Sequence, residues 1–155
     1  MLLTGKLVKT IEKNSDTIAE RWVDEVAKSP YTRSYWNVPR EELHERAASI
    51  CRRMGYFLDR KLPKEKMASF YKKIGENRKS HGYEVEEVVM ALMLLKREIW
   101  LFILQEGLLT KNIEVSQALL LNNRVILYFD RAIYYVAMSY QDSEDKEEAE
   151  QAASC

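Results

Sequence analysis

Glycine and proline are scarce here, five and three of 155 residues. That excludes collagen-like, low-complexity and turn-rich all-β chains. With two cysteines there is no disulfide framework: Cys51 falls inside an amphipathic helical pattern and Cys155 closes a polar stretch. A reducing cytoplasm is the expected compartment. No glycine-rich phosphate loop, strand alternation or repeat period occurs. The residues Met1-Leu2-Leu3-Thr4-Gly5-Lys6 lack the apolar core of a secretory leader. The most apolar stretch, 88–104, is broken by Lys96-Arg97-Glu98, which argues against a membrane span.

Apolar residues make up 46% and charged residues 31% of the chain, the balance of a helix-rich globular domain of ordinary size. The formal net charge is zero but unevenly spread. Residues 142–155 hold six acids and one lysine, leaving 23 bases against 18 acids in the body. Those bases alternate with acids along helices and form no patch, so no nucleic-acid partner is expected.

Helical periodicity runs through most of the sequence. Leu3, Leu7, Val8 and Ile11 share a face of a first helix; Asn14-Ser15-Asp16 offers the cap of a second, or a kink in a continuous one, and Ile18, Trp22, Val23 and Val26 point inward before Ser29-Pro30 stops it. Residues 31–38 form a loop rich in aromatics. Pro39 suits the opening of a third helix, with Leu43, Ala47, Ile50, Met54 and Leu58 inward. Pro63 opens a fourth, whose stripe of Met67, Phe70, Tyr71 and Ile74 continues through Arg78 to His81; Gly82 suits a left-handed cap. Glu84, Glu86 and Glu87 favour the start of the next helix, which Gly107 would close.

The last helix is expected over about 113–141 and carries two apolar stripes. One is Val115, Ala118, Val125, Phe129, Ala132 and Val136; the other is Leu120, Leu127, Tyr134 and Met138. A monomer's surface helix needs one. The second stripe predicts a homodimer through the last two helices. The domain is expected over 1–141, followed by an acidic disordered tail over 142–155.

The chemistry-bearing residues form no catalytic constellation, so no enzyme is expected. His44 and Cys51 stand about 10 Å apart along one helix and cannot share a metal. Cys51 lies beside Arg52 and Arg53, but no base accompanies it. The aromatics Trp22, Tyr56, Phe57, Phe70, Tyr71, Trp100, Phe102, Tyr128 and Phe129 serve core packing, or in part line an apolar ligand cavity. The sharpest question is Arg78, a full charge on an apolar stripe. Three readings stand: a head snorkelling to water, an ion pair with Glu87 or Glu98, or contact with an anionic ligand.

Ile18-Ala19-Glu20-Arg21-Trp22-Val23, Ser29-Pro30-Tyr31-Thr32-Arg33-Ser34-Tyr35 and Glu41-Glu42-Leu43 are followed by Phe70-Tyr71, Gly75, Gly82-Tyr83 and Glu86-Glu87-Val88-Val89. Leu94-Leu95, Ile99-Trp100 and Tyr128-Phe129-Asp130-Arg131-Ala132 complete the series. In this order and spacing they resemble the N-terminal sensor domain of RsbR-type regulators, the RsbT co-antagonists of the bacterial stressosome. The resemblance covers about 16–140. That family looks like a haem-free branch of the sensor globins, in which an Ile-Gly-x-x-His segment supplies the proximal haem ligand. Here Ile74-Gly75-Glu76-Asn77 is followed by Arg78, which has no lone pair for iron, so no haem cofactor is expected.

The resemblance implies an all-α, globin-like bundle, a dimer through the last two helices, and an output module downstream, which this sequence does not contain. The expectation is thus a cytoplasmic sensor in stress signalling, binding an amphipathic anion such as a fatty-acid-like, long-chain carboxylate. Arg78, Tyr71, Ile74, Trp100 and Trp22 would form the site, between the helix ending at Arg78 and the helix of Trp100. The alternatives are a haem-based gas sensor using His81 or His44 and a ligand-free interaction scaffold.

Overall fold

The computed structural model describes residues 3–58, 63–106 and 112–154. Its helices are α1 (Leu3–Lys13), α2 (Ser15–Val26), α3 (Arg40–Arg52), α4 (Met54–Leu58), α5 (Lys64–Ser80), α6 (Val85–Gln105) and α7 (Asn112–Ala153), with a 3₁₀ turn at Arg33–Tyr35. Among the described residues there is no strand, so the all-α expectation holds. None of these helices is long and apolar enough to cross a membrane. Gly107 lies outside the described residues.

The helices bury the faces that their periodicity marks. Leu7 and Ile11 of α1, Ile18, Trp22, Val23 and Val26 of α2, and Leu43, Ala47 and Ile50 of α3 all enter one core. Val125, Phe129, Ala132 and Val136 of α7 join them. Each buried valine, leucine, isoleucine or phenylalanine among them contributes about 1.5–3 kcal/mol, each alanine less. α5 packs chiefly on α7, and α2 on α3 and α6. The run expected to be one helix from Pro39 to Leu58 divides at Arg53. α4 begins anew at Met54, which is buried, and Gly55 lies against Val8 of α1.

α5 ends as expected on a left-handed glycine, Gly82 with φ +80°. The Tyr83 N–H donates to the Arg78 carbonyl at 3.0 Å, and the Gly82 N–H to the Lys79 carbonyl at 3.0 Å. This paired closure is the Schellman arrangement. It fixes the backbone of Arg78 and sends the chain directly into α6.

Two differences concern α7. The helix continues to Ala153, where the sequence suggested a disordered tail after 141. Residues 142–153 are mostly Glu, Asp, Ala, Gln and Lys, largely good helix formers that need no apolar partner to extend a helix already nucleated. Gln141 also bonds Asp145 one turn on. Within the inward stripe Val115 is 44% exposed, while the side chain of Ala118 lies outside the described residues.

α5 and α7 approach closely at Gly75. A Cβ built there would stand 2.9 Å from the Val136 carbonyl oxygen and closer still to Ser139 Oγ. Helix propensity alone favours alanine over glycine by about 1 kcal/mol. At this crossing the clash with backbone prevails, so Gly75→Ala is expected to destabilise by about 1–3 kcal/mol in urea unfolding. A gain in stability would show that the helices part freely there.

Candidate functional site

Between α2, α3, α5 and α6 lies a cavity of about 230 Å³. α6 contributes Val88, Ala91, Leu92 and Leu95; α3 adds Ala47 and Ile50; α5 adds Phe70 and Ile74. Trp22 of α2 forms a further wall and is pinned, its indole N–H donating to the Ala91 carbonyl at 2.8 Å. The volume holds roughly eight groups the size of a water or a methylene.

The polar end of this cavity is built from three elements. Arg78 closes it from the last turn of α5, Arg46 and Ser49 from α3, and Tyr35 from the loop. Tyr35 is buried because its loop is tied at several points. The Thr32 hydroxyl donates to the Val26 carbonyl at 2.8 Å, and the Trp36 indole to the Ser29 carbonyl at 2.9 Å. The Glu87 carboxylate of α6 accepts the N–H groups of Arg33 and Ser34, at 3.1 and 3.2 Å, and the Ser34 hydroxyl. Tyr35 then stacks edge-on with Trp22 and Tyr83. Burial lifts its phenol far above the ordinary range, so it stays neutral.

Arg78 has no ion-pair partner within 4.0 Å among the described residues. Its Nη1 donates to the Asn77 amide oxygen at 2.5 Å. The two carboxylates open to it from the sequence are engaged elsewhere: Glu87 ties the loop, and Glu98 is buried lower on α6. At Glu98, desolvation first and then the charge of Glu25 raise the carboxyl. Burial, and after it the charge of Arg46, lowers the pKa of Arg78. Arginine nevertheless remains protonated. A partly desolvated cation therefore stands at the mouth of an apolar cavity beside a second cation.

Of the five residues expected to bind ligand, Arg78, Ile74 and Trp22 line this cavity. Tyr71 does not: it is buried in a neighbouring aromatic group, its hydroxyl bonded to that of Tyr128. Trp100 does not either; it lies on the α6 register of Met93 and Leu104, both exposed. The indole N–H of Trp100 is buried without a partner among the described residues. Arg46, Ser49 and Tyr35 were absent from the expected set. Arg46 was legible in part, since it lies three residues after Leu43 and four before Ile50, on the flank of the α3 stripe. Tyr35 was not, because only the ties on its loop turn it inward.

Neither histidine lines the cavity. His44 Nε2 stands 3.2 Å from the Asp16 carbonyl oxygen, and the exposed His81 has Nδ1 2.7 Å from that of Asn77. No group of three potential metal-ligating side chains occurs among the described residues. The α7 stripe of Leu120, Leu127 and Tyr134 is exposed, at 68%, 48% and 59%, and Met138 is half-buried.

The chain matches the family model described as the RsbT co-antagonist protein rsbRD N-terminal domain over residues 16–154. No similar curated protein and no similar solved structure was found.

Cys51 is fully buried, and burial pushes its thiol up to about 12 against a smaller opposing effect of Arg52. At pH 8 the thiol is therefore held almost entirely in its protonated form. A thiol reagent at pH 8 is expected to leave Cys51 unmodified in folded Cys155→Ser protein and to modify it fully in denaturant. Rapid modification of the folded protein would restore Cys51 as a candidate nucleophile.

Proposed function

Because the chain belongs to the RsbT co-antagonist protein rsbRD N-terminal domain family, we propose that it is a cytoplasmic stress-signalling sensor whose signal is an amphipathic anion held by Arg78. The supporting observation is an arginine without a carboxylate partner among the described residues, at the polar end of a cavity whose other walls are mostly apolar. An anionic head there would gain charge-assisted hydrogen bonds, and an apolar body would replace the void. The cavity volume favours a chain of about eight carbons over the long chain suggested by sequence alone.

The relay follows from what Arg78 is attached to. Its neighbour Lys79 donates from Nζ to the Tyr140 carbonyl at 3.0 Å, and the Tyr140 hydroxyl donates to the Tyr83 carbonyl at 2.6 Å. With the Gly75 crossing, these bonds tie the end of α5 to α7. A shift at Arg78 would pass to residues 141–153, a helical extension exposed along almost its whole length, and so to an output module or stress-signalling partner. The exposed Leu120, Leu127 and Tyr134, with Met93 and Leu104 of α6, support a homodimer through these helices. A ligand-free scaffold and a haem-based sensor are the competing readings.

Native mass spectrometry and calorimetry with octanoate, decanoate and palmitate test the ligand. Octanoate or decanoate is expected to bind better than palmitate. Arg78→Gln should weaken binding roughly 10- to 100-fold, the worth of a hydrogen bond to a charged group. No binding of any of the three would leave the scaffold reading; equal binding by the variant would remove Arg78 as the contact of the head group; a Soret band in protein from haem-supplied cells would favour the haem sensor. For the dimer, sedimentation should show the wild type as a dimer and Leu127→Glu with Tyr134→Glu as a folded monomer. A monomeric wild type would exclude it.

A further inference from the structure

The mouth of the cavity carries two guanidinium groups and one carboxylate. Arg46 Nη2 meets Glu42 Oε1 at 2.5 Å, one helical turn earlier on α3. Among the described residues, no other carboxylate lies within 4.0 Å of Arg46 or Arg78. Outside this mouth lies a surface depression that shares Arg46, Ser49 and Arg78 with the cavity and adds Glu42, Glu45 and Asn77. Glu45 is already engaged, since Arg52 donates to its two oxygens at 3.3 and 3.1 Å. Asn77 is neutral. The mouth is therefore left with one positive charge in excess.

The remaining bonds leave donors over. Arg46 also donates from Nη1 to the Tyr83 hydroxyl at 3.2 Å, and Arg78 uses Nη1 on Asn77. A guanidinium has five N–H donors, so each keeps several for a ligand. The Glu42 side chain is 55% exposed whereas that of Arg46 is 19% exposed. The carboxylate thus sits at the solvent end of the pair and the cation at the cavity end.

We propose that Glu42 is a built-in counter-ion that sets the charge of the head group accepted here, favouring one negative charge over two. This rests on the ligand reading above and adds a selectivity that reading does not contain. A monoanionic carboxylate neutralises the single excess charge. A dianionic phosphate monoester brings a second charge that finds no cation of its own and faces the Glu42 carboxylate. Repulsion of that kind, near a surface and in salt, weakens binding roughly tenfold.

The test compares octanoate with octyl phosphate at pH 8, where the phosphate is dianionic. Calorimetry is run on wild type, Glu42→Gln, Glu42→Asp and Glu45→Gln, each shown folded by circular dichroism. Wild type is expected to prefer octanoate. Glu42→Gln should move the affinity ratio at least about tenfold towards octyl phosphate, Glu42→Asp by less, and Glu45→Gln not measurably. A ratio unchanged in Glu42→Gln while octanoate still binds overturns the role of Glu42 and leaves the ligand reading intact. A wild type that binds neither probe overturns both.

Discussion

The crossing of α5 over α7 at Gly75 is the constraint on which the rest of this structure depends. The missing Cβ lets the α7 backbone at Val136 and the side chain of Ser139 come close, in a region where Tyr71, Phe129 and Val136 are fully buried. Close packing makes that contact stiff, because atoms already touching cannot absorb a shift. One turn further along α5 stands Arg78, and one turn past its end the chain has already entered α6. The same contact thus ties the element that carries the cavity mouth to α7.

The electrostatics of the mouth depend on that rigidity. A free arginine at a surface would turn its head to water at little cost. The Schellman closure at Gly82 and the packing of Ile74 and Phe70 hold the Arg78 backbone so that its head meets Tyr35 and the cavity, while Arg46 approaches from α3. Burial first, and then the like charge of Arg46, lowers the pKa of Arg78. Glu42 relieves only one of the two cations. Such an arrangement costs stability in the unliganded protein, and sites of this kind are where function concentrates.

Much of the fold was legible in the sequence. Most helices announce themselves by apolar residues three and four apart, Pro39 and Pro63 mark starts, and Gly82 marks a stop, whereas the break at Arg53 carries no such mark. The double stripe on α7 was legible too, and Leu120, Leu127 and Tyr134 are left on the surface as that pattern requires. The site was legible only in part. Periodicity places Arg78, Ile74 and Trp22 on inward faces, but inward does not say towards which neighbour. Tyr71 and Ile74 stand three residues apart on one stripe, yet one meets Tyr128 and the other the cavity.

What the sequence determined by itself is local: several helix starts and the stop at Gly82, inward faces, the family match and the presence of a charge on an apolar stripe. These follow from the 3.6-residue period and from backbone preferences that act within a few residues. Which inward residues share a wall was decided by tertiary structure, because it depends on how four helices and a loop are turned against one another. Arg46 is 32 residues from Arg78 in the chain, and Glu87 reaches back 53 and 54 residues to tie the loop that turns Tyr35 inward. No short-range pattern encodes those distances, so the cavity, its two cations and its single counter-ion emerge only from the packed bundle.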